Sequence, residues 1–379
     1  MRHYLDWAAT AIPDEITQEG FSYGNPSSPH TEGRLAKEAL ESSRVRCASV
    51  LGVKAQQLFF TSGGTESNAL VLHSLLLKKG RGRLLYSGIE HPSVRENCLR
   101  LKRLGLLTGA IGVESSGQVT ENTLRRALEK QSDARFVAVM GVNNETGSLM
   151  DIKALVSLVR VNQSEKGPAL HFHCDLVQAL GKSPVDISTW DVDSASFSAH
   201  KLGGTRGVGL LYLKNPLEAL YAGGEQEGRI RPGTENVQGA MALAELLERR
   251  ASTETVKAET EKAKSRLNYF ISELEKIRRC ALIPEDRMKD DKRFSPWIVQ
   301  IRVKGLPAMV MVRALDDMGI AVSTGSACSS SSPERPVLAA MGLDQFSRLE
   351  GLRVSQGWST KQSDFDALLS GIEKALSFL

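Results

Sequence analysis

The five residues Phe197-Ser198-Ala199-His200-Lys201 put a lysine directly behind a Ser-x-His. They follow Val192-Asp193-Ser194-Ala195-Ser196, whose apolar alternation predicts the end of a strand. A lysine so placed can form a Schiff base with an aldehyde, and the hydroxyl and imidazole beside it can hold a phosphate. Pyridoxal 5'-phosphate (PLP) needs that combination. One lysine is more often a solvated charge, so the weight comes from other segments. Ser62-Gly63-Gly64-Thr65-Glu66-Ser67-Asn68 lies between a strand and a helix, where glycines and helix-terminal amides suit a phosphate, although a plain strand-to-helix turn reads the same way. No Gly-Lys-Ser/Thr follows, which excludes a nucleotide P-loop. Asp175 ends a strand, where it can either cap a helix or pair with a protonated pyridine nitrogen, and Gln178 follows within reach of a ring oxygen. His91, after Glu90, is open to a structural role, to stacking on a planar ring or to proton transfer. Asn144, in Asn143-Asn144-Glu145-Thr146-Gly147, could bind a ring hydroxyl. The glycine-rich run Gly223 to Thr234 carries no apolar period and ends on a hydroxyl that suits an anion. Cys328 sits among small residues, Gly325-Ser326-Ala327-Cys328-Ser329-Ser330-Ser331-Ser332-Pro333, as an exposed nucleophile would. Arg353 can grip a substrate carboxylate with a bidentate fork or form a surface ion pair.

These groups must be carried by regular elements. At 379 residues the chain exceeds what one core fills, so two domains are expected. Composition is ordinary globular, with 41% hydrophobic and 24% charged residues. A formal net charge of +4 gives no case for nucleic acid or a membrane surface. No apolar run is long enough to span a bilayer, and Met1-Arg2-His3-Tyr4-Leu5-Asp6 lacks a signal-peptide core. Five scattered cysteines without a CxxC pair read as reduced thiols, and the expected location is the cytoplasm. His171 and His173 share a strand face, but no further ligands accompany them, so no metal is expected. Helical spacing over Thr31 to Leu51 stops at Gly52, and Leu58 to Thr61 is a short strand followed by a helix through Leu77. Arg83 to Ser87, Arg135 to Val142, Leu170 to Cys174 and Val208 to Leu213 are further strands. Their alternation with helices predicts an α/β domain with a mostly parallel sheet. A polar helical stretch from Asn236 to about Arg279 leads to a smaller α+β layer. Its expected elements are a strand over Trp297 to Val303, a helix over Pro307 to Met318, a strand near Gly351 to Ser355 and a terminal helix.

Taken together and in order, these segments resemble the NifS/IscS-type cysteine desulfurases, PLP enzymes of the class V aminotransferase group with fold type I. The resemblance runs from Tyr4-Leu5-Asp6-Trp7-Ala8-Ala9-Thr10 and Gly24-Asn25-Pro26-Ser27-Ser28-Pro29-His30, through Thr61 to Asn68, Glu90-His91 and the Ser-x-His-Lys run, to Gly325-Ser326-Ala327-Cys328 and Arg353-Val354-Ser355. It implies a large PLP-binding domain over 15–250, with a mostly parallel seven-stranded sheet flanked by helices. Residues 1–14 and 251–379 would form a small α+β domain carrying the Cys328 loop and Arg353.

The resemblance also assigns roles. Lys201 matches the Schiff-base lysine. Gly64, Thr65, Ser198, His200 and, from a partner subunit, Thr234 match the phosphate ligands. Asp175 matches the pyridinium partner, Gln178 and Asn144 the ring-hydroxyl ligands, and His91 the stacking residue. Arg353 and Asn144 match the substrate carboxylate ligands, and Cys328 the thiol that becomes a persulfide.

The implied activity takes sulfur from L-cysteine, leaves L-alanine, and passes the Cys328 persulfide to an acceptor such as an iron–sulfur scaffold or a tRNA-thiolation protein. The implied assembly is a homodimer. Either His91 or the substrate itself would accept the Cys328 proton. The runner-up activities are those of another class V enzyme, a selenocysteine or cysteine sulfinate lyase or an aminotransferase. A cysteine hydrolase would leave Lys201, Asp175 and the cup unused, and a silent adaptor has no need of both Lys201 and Cys328. Two departures stand out: Gly204-Thr205-Arg206-Gly207 replaces the family's Gly-Pro-Lys-Gly run, and bulky Leu176 and Val177 separate Asp175 from Gln178.

Overall fold

The structure, a computed structural model, describes residues 2–14, 23–78, 82–166, 170–325 and 334–378, with side chains 162–166 excepted. The serine-rich run with Cys328 and the link at residues 79–81 therefore lie outside the described residues.

Short apolar runs make the large sheet. Its strands are β2 (Leu58–Thr61), β3 (Arg83–Ser87), β4 (Thr108–Ile111), β5 (Ala134–Ala138), β6 (His171–Asp175), β7 (Ser194–Ser198) and β8 (Gly209–Leu213). They lie in the order β2-β8-β7-β6-β5-β3-β4. Pairs from β7 across to β4 are parallel, and only β8 runs against its neighbours. Helices cover both faces, so central strands such as Phe136-Val137-Ala138 are apolar throughout rather than alternating. Among the covering helices are α1 (Thr31–Leu51), α2 (Gly64–Ser74) and α3 (Pro92–Arg103). The first ends where Gly52 takes φ +66 and donates to Ala48 and Ser49, a left-handed cap that suits glycine.

A second apolar cluster forms around an antiparallel sheet of β9 (Cys280–Ile283), β10 (Ile298–Val303) and β12 (Gly351–Ser355), in the order β12-β10-β9. β1 (His3–Tyr4) pairs in parallel with β11 (Ile320–Ala321) beside it. The N-terminal segment then crosses back: Leu5 belongs to this second cluster, whereas the Ala11 and Asp14 amides donate to His200 and Gly203 on the large-sheet side.

One expectation is refined and two need correction. The stretch from Asn236 to Arg279 is two helices, Val237–Arg250 and Thr253–Leu274. Ser252 breaks it by capping the second helix, its Oγ accepting from the Thr255 amide. The first helix packs into the large-sheet core and the second into the smaller one. The strand expected over Arg135 to Val142 ends at Ala138, because beyond it the Met140 amide donates to the Glu90 carboxylate. The helix expected through Leu77 ends at Ser74, and turns continue. The strands β4 and β9 went unanticipated, since Thr-Gly-Ala-Ile and Cys-Ala-Leu-Ile show no period.

Candidate active site

Because β2, β3, β5, β6 and β7 point the same way, the loops after them meet at one sheet edge. They enclose a cavity of about 240 Å³. Gly64, Thr65, His91, Asn144, Asp175, Gln178, Ser198, His200, Lys201 and Arg353 all line it.

The loop after β2 shows why glycine is needed. Gly63 takes φ +149, and a Cβ on Gly64 would stand 2.5 Å from Val177 Cγ2. The chain then enters α2 at once, so free amides of its first turn face the cavity beside Thr65 and Ser198. Nδ1 of His200 lies 3.1 Å from the Thr10 hydroxyl, and burial pulls its pKa down to about 4. A neutral imidazole there binds an anion as a hydrogen-bonding group rather than as a charge. Arg206, from the run that departs from the family pattern, lines the open side of this cup.

Opposite the cup, Asp175 is buried at the end of β6. Its Oδ1 accepts from the Val177 amide at 3.0 Å and its Oδ2 from Asn68 Nδ2 at 2.8 Å. His91 caps α3, Nδ1 accepting from the Ser93 amide at 3.1 Å, and burial lowers its pKa. Glu90 is buried, its Oε2 has no hydrogen-bond partner among the described residues, and burial lifts its pKa to about 8.

Lys201 Nζ reaches the carbonyls of Ala8 at 2.7 Å and Ala9 at 2.6 Å, so the N-terminal segment roofs the lysine. Gln178 Nε2 donates to the Ala8 carbonyl at 2.8 Å, and Gln178 Oε1 lies 3.5 Å from Nζ of the fully buried Lys182. Arg353 reaches in from β12, donating through Nη1 to the Asn144 carbonyl at 2.9 Å and through Nη2 to Asp6 Oδ1 at 2.8 Å. Its Nε is buried with no hydrogen-bond partner among the described residues. Asn143 builds the turn that presents Asn144: its Oδ1 accepts from the Glu145 and Thr146 amides, each at 2.9 Å.

Ten of the twelve candidate residues thus share one cavity. Thr234 does not; it is exposed on its loop and does not line the cavity. Cys328 lies outside the described residues, the last of which before it, Gly325, follows a backbone bridge from Ser323 to Arg353. His171 and His173 are occupied, both ring nitrogens meeting the Ser194 hydroxyl at 2.8 Å while the first ring stacks on Phe136. Sequence reasoning missed Ser93, Met140 and Lys182, and Ala8 and Ala9 entered only within the Tyr4 to Thr10 motif. Asn68 was noticed only as part of the cup motif.

An open α/β sheet with lysine, carboxylate and anion cup at its C-terminal edge defines a fold type I PLP enzyme. The chain matches the aminotransferase class-V family over residues 3–368 and belongs to it. It is 34% identical to cysteine desulfurase IscS of Dictyoglomus turgidum, over 99% of this chain and 95% of that protein. It is 33% identical to putative cysteine desulfurase IscS 1 of Bacillus subtilis, over 94% of this chain and 93% of that one. A solved NifS-like protein superposes over the full length of both chains with a TM-score of 0.89 at 30% identity.

The cofactor of this family is PLP, and the pocket fits it. The cradle at Gly64 that a Cβ would fill suits a phosphate, the buried Asp175 a ring nitrogen, and the half-buried amine of Lys201 an aldehyde.

Proposed function

We infer that the protein is a PLP-dependent cysteine desulfurase, converting L-cysteine and a protein thiol into L-alanine and a persulfide. The observation that carries the inference is one cavity uniting Lys201, Asp175, the Gly64–Thr65 cup and the guanidinium of Arg353. Bound PLP would supply an electron sink for the pair left when a proton departs from the substrate α-carbon.

The chain's own groups do the rest. Lys201 would hold the aldehyde and, once displaced by substrate, carry protons with its amine. Gly64, Thr65, Ser198 and His200 would hold the phosphate, and Asp175 would keep the ring nitrogen protonated. Gln178 and Asn144 would bind the ring oxygen, and His91 would lie against the ring. Arg353, whose Nε is buried with no hydrogen-bond partner among the described residues, would receive the substrate carboxylate together with Asn144. Cys328 would take the sulfur: its thiolate bonds to the substrate sulfur, the carbon–sulfur bond breaks, and a proton goes to the carbon, giving alanine. Support for its reach is the Ser323–Arg353 bridge, which starts the segment beside the carboxylate-binding arginine. The persulfide would go to an iron–sulfur scaffold or a tRNA-thiolation protein.

A homodimer is part of the proposal, because Thr234 stands exposed and would complete the cup of a second copy. A cytoplasmic setting fits the four described cysteines, all free, and no described helix is long and apolar enough to cross a membrane.

The test is one turnover of L-cysteine without reductant. Alanine should form, and mass spectrometry should find one added sulfur on Cys328 and on none of the other four cysteines. Cys328→Ser should keep the yellow cofactor but release no sulfide, and Lys201→Ala should lose the chromophore. Persulfide elsewhere, or full activity in the serine variant, would sink the inference.

A further inference from the structure

Asn68, in α2, is fully buried and uses every polar group of its side chain. Its Nδ2 donates to Asp175 Oδ2 and to Ser93 Oγ, both at 2.8 Å, and its Oδ1 lies 2.8 Å from His173 Nε2. The orientation of this amide follows from its partners, since an ionised Asp175 offers only lone pairs and must face Nδ2.

The other protons then fall into place along the chain of contacts. His173 Nε2 must carry a hydrogen to meet Asn68 Oδ1, so its Nδ1 accepts from the Ser194 hydroxyl at 2.8 Å. That hydroxyl in turn accepts from His171 Nε2 at 2.8 Å. Both imidazoles are thereby neutral, in keeping with burial that pulls each pKa down to about 3.

On the other side, Ser93 Oγ accepts from Asn68 and has its own hydrogen left for His91 Nδ1, 2.8 Å away. The Ser93 amide, 3.1 Å from the same nitrogen, also has only a hydrogen to give. Two donors therefore converge on Nδ1, and the proton of neutral His91 resides on Nε2, which has no partner among the described residues.

We propose that Asn68 is a positioning residue that locks Asp175 and, through Ser93, His91 into one array, in which His91 offers the pocket an N–H donor and no basic lone pair. The proposal rests on the PLP reading of the site and deepens it. An imidazole whose one lone pair is spent on Ser93 cannot take a proton from the substrate α-carbon or from Cys328. Those protons pass to the freed Lys201 amine and to groups of the substrate. The bond from Asn68 also occupies a lone pair of Asp175 Oδ2 and fixes the carboxylate that would hold the cofactor's ring nitrogen.

Two measurements test this. The first does not need the cofactor, and uses a variant only to assign signals. Two-bond ¹H–¹⁵N correlation spectra of histidine-labelled protein, with His91 identified by loss of its signals in His91→Gln, should show Nε2 protonated and Nδ1 bare at pH 7.5. An Nδ1-protonated His91 would overturn the proposal, even if the protein proved not to bind PLP.

The second uses ¹⁵N-labelled PLP in the holoenzyme. Asn68→Ala should move the ring-nitrogen resonance toward that of unprotonated pyridine and weaken PLP binding at least tenfold, whereas Ser93→Ala, which leaves the Asp175 bond intact, should leave that resonance in place. A wild-type resonance and affinity in Asn68→Ala would overturn the proposal. If Asn68→Ala does not fold, the same comparison is made with Asn68→Ser. A failure of PLP to bind to the wild type would instead remove the cofactor reading.

Discussion

Lys182 is a buried amine whose side chain meets the Gln178 carbonyl oxygen at 3.5 Å and the Trp358 ring at 5.6 Å. No carboxylate among the described residues forms an ion pair with it. Burial, with Lys201, Arg250 and Arg353 of like sign nearby, pulls its pKa from 10.5 down to about 7. The folded state therefore binds fewer protons than the unfolded chain between those values, so this residue makes stability rise with pH from about 7 toward 10.5. Lys182→Met keeps the packing and removes the charge. Thermal melts should show the variant gaining most below pH 7 and converging on the wild type near pH 10. Glu90 has the opposite sign. Its acid stays protonated to about 8 in the fold, so stability falls as pH rises from 4.5 to 8. Glu90→Gln, which copies the protonated shape, should match the wild type at pH 5 and exceed it at pH 8.5. Equal melting curves across pH for either variant would refute its assignment.

Single elements hold the site through ties that no local sequence pattern announces. The loop from Gly223 to Thr234 has no period, yet Glu227 is buried within it, and its carboxylate accepts from Arg44 Nη1 at 2.7 Å and Nη2 at 2.6 Å of α1. The same carboxylate accepts from the Phe60 amide of β2 at 2.7 Å, one strand-end away from the phosphate cup. The pair overrides backbone preference, since Glu227 and Arg229 both sit at positive φ. Glu227→Ala removes the buried one of Arg44's two carboxylate partners and leaves only Glu41, whose side chain is half exposed, a loss of up to roughly 3–5 kcal/mol by the general behaviour of buried pairs. Chemical denaturation should register that loss, and PLP affinity should fall with it; an unchanged midpoint would show the clamp to be idle.

The same elements show what the sequence could tell. The cup, the Ser-x-His-Lys run and Asp175 were legible because each is a short motif at a strand end, where topology alone delivers it to the cavity. Asn68, Ser93 and Glu227 were not, because their meaning lies in distant partners: Asn68 meets Asp175, 107 residues away, Ser93 meets Asn68, 25 residues away, and Glu227 meets Arg44, 183 residues away.

At the scale of the whole molecule, the question is whose cup each Thr234 completes. In this chain the residue is exposed, and Arg231 of the same loop donates to Glu66 of α2 at 3.3 Å. A two-fold dimer places one chain's loop against the other chain's site reciprocally. Thr234→Asp should then set a carboxylate against the partner's phosphate and abolish PLP binding without disturbing its own fold. Lys201→Ala is inactive for a separate reason, the missing amine. Co-expressed and freely paired, the two inactive chains should yield about a quarter of wild-type activity, because half the dimers are mixed and one of the two sites in each has both residues intact. Purification through different tags on the two chains should raise the figure to about half. If Thr234 serves its own chain, every mixed site carries one lesion or the other and the co-expressed pair stays dead. If the protein is a monomer, no mixed species will survive tandem purification.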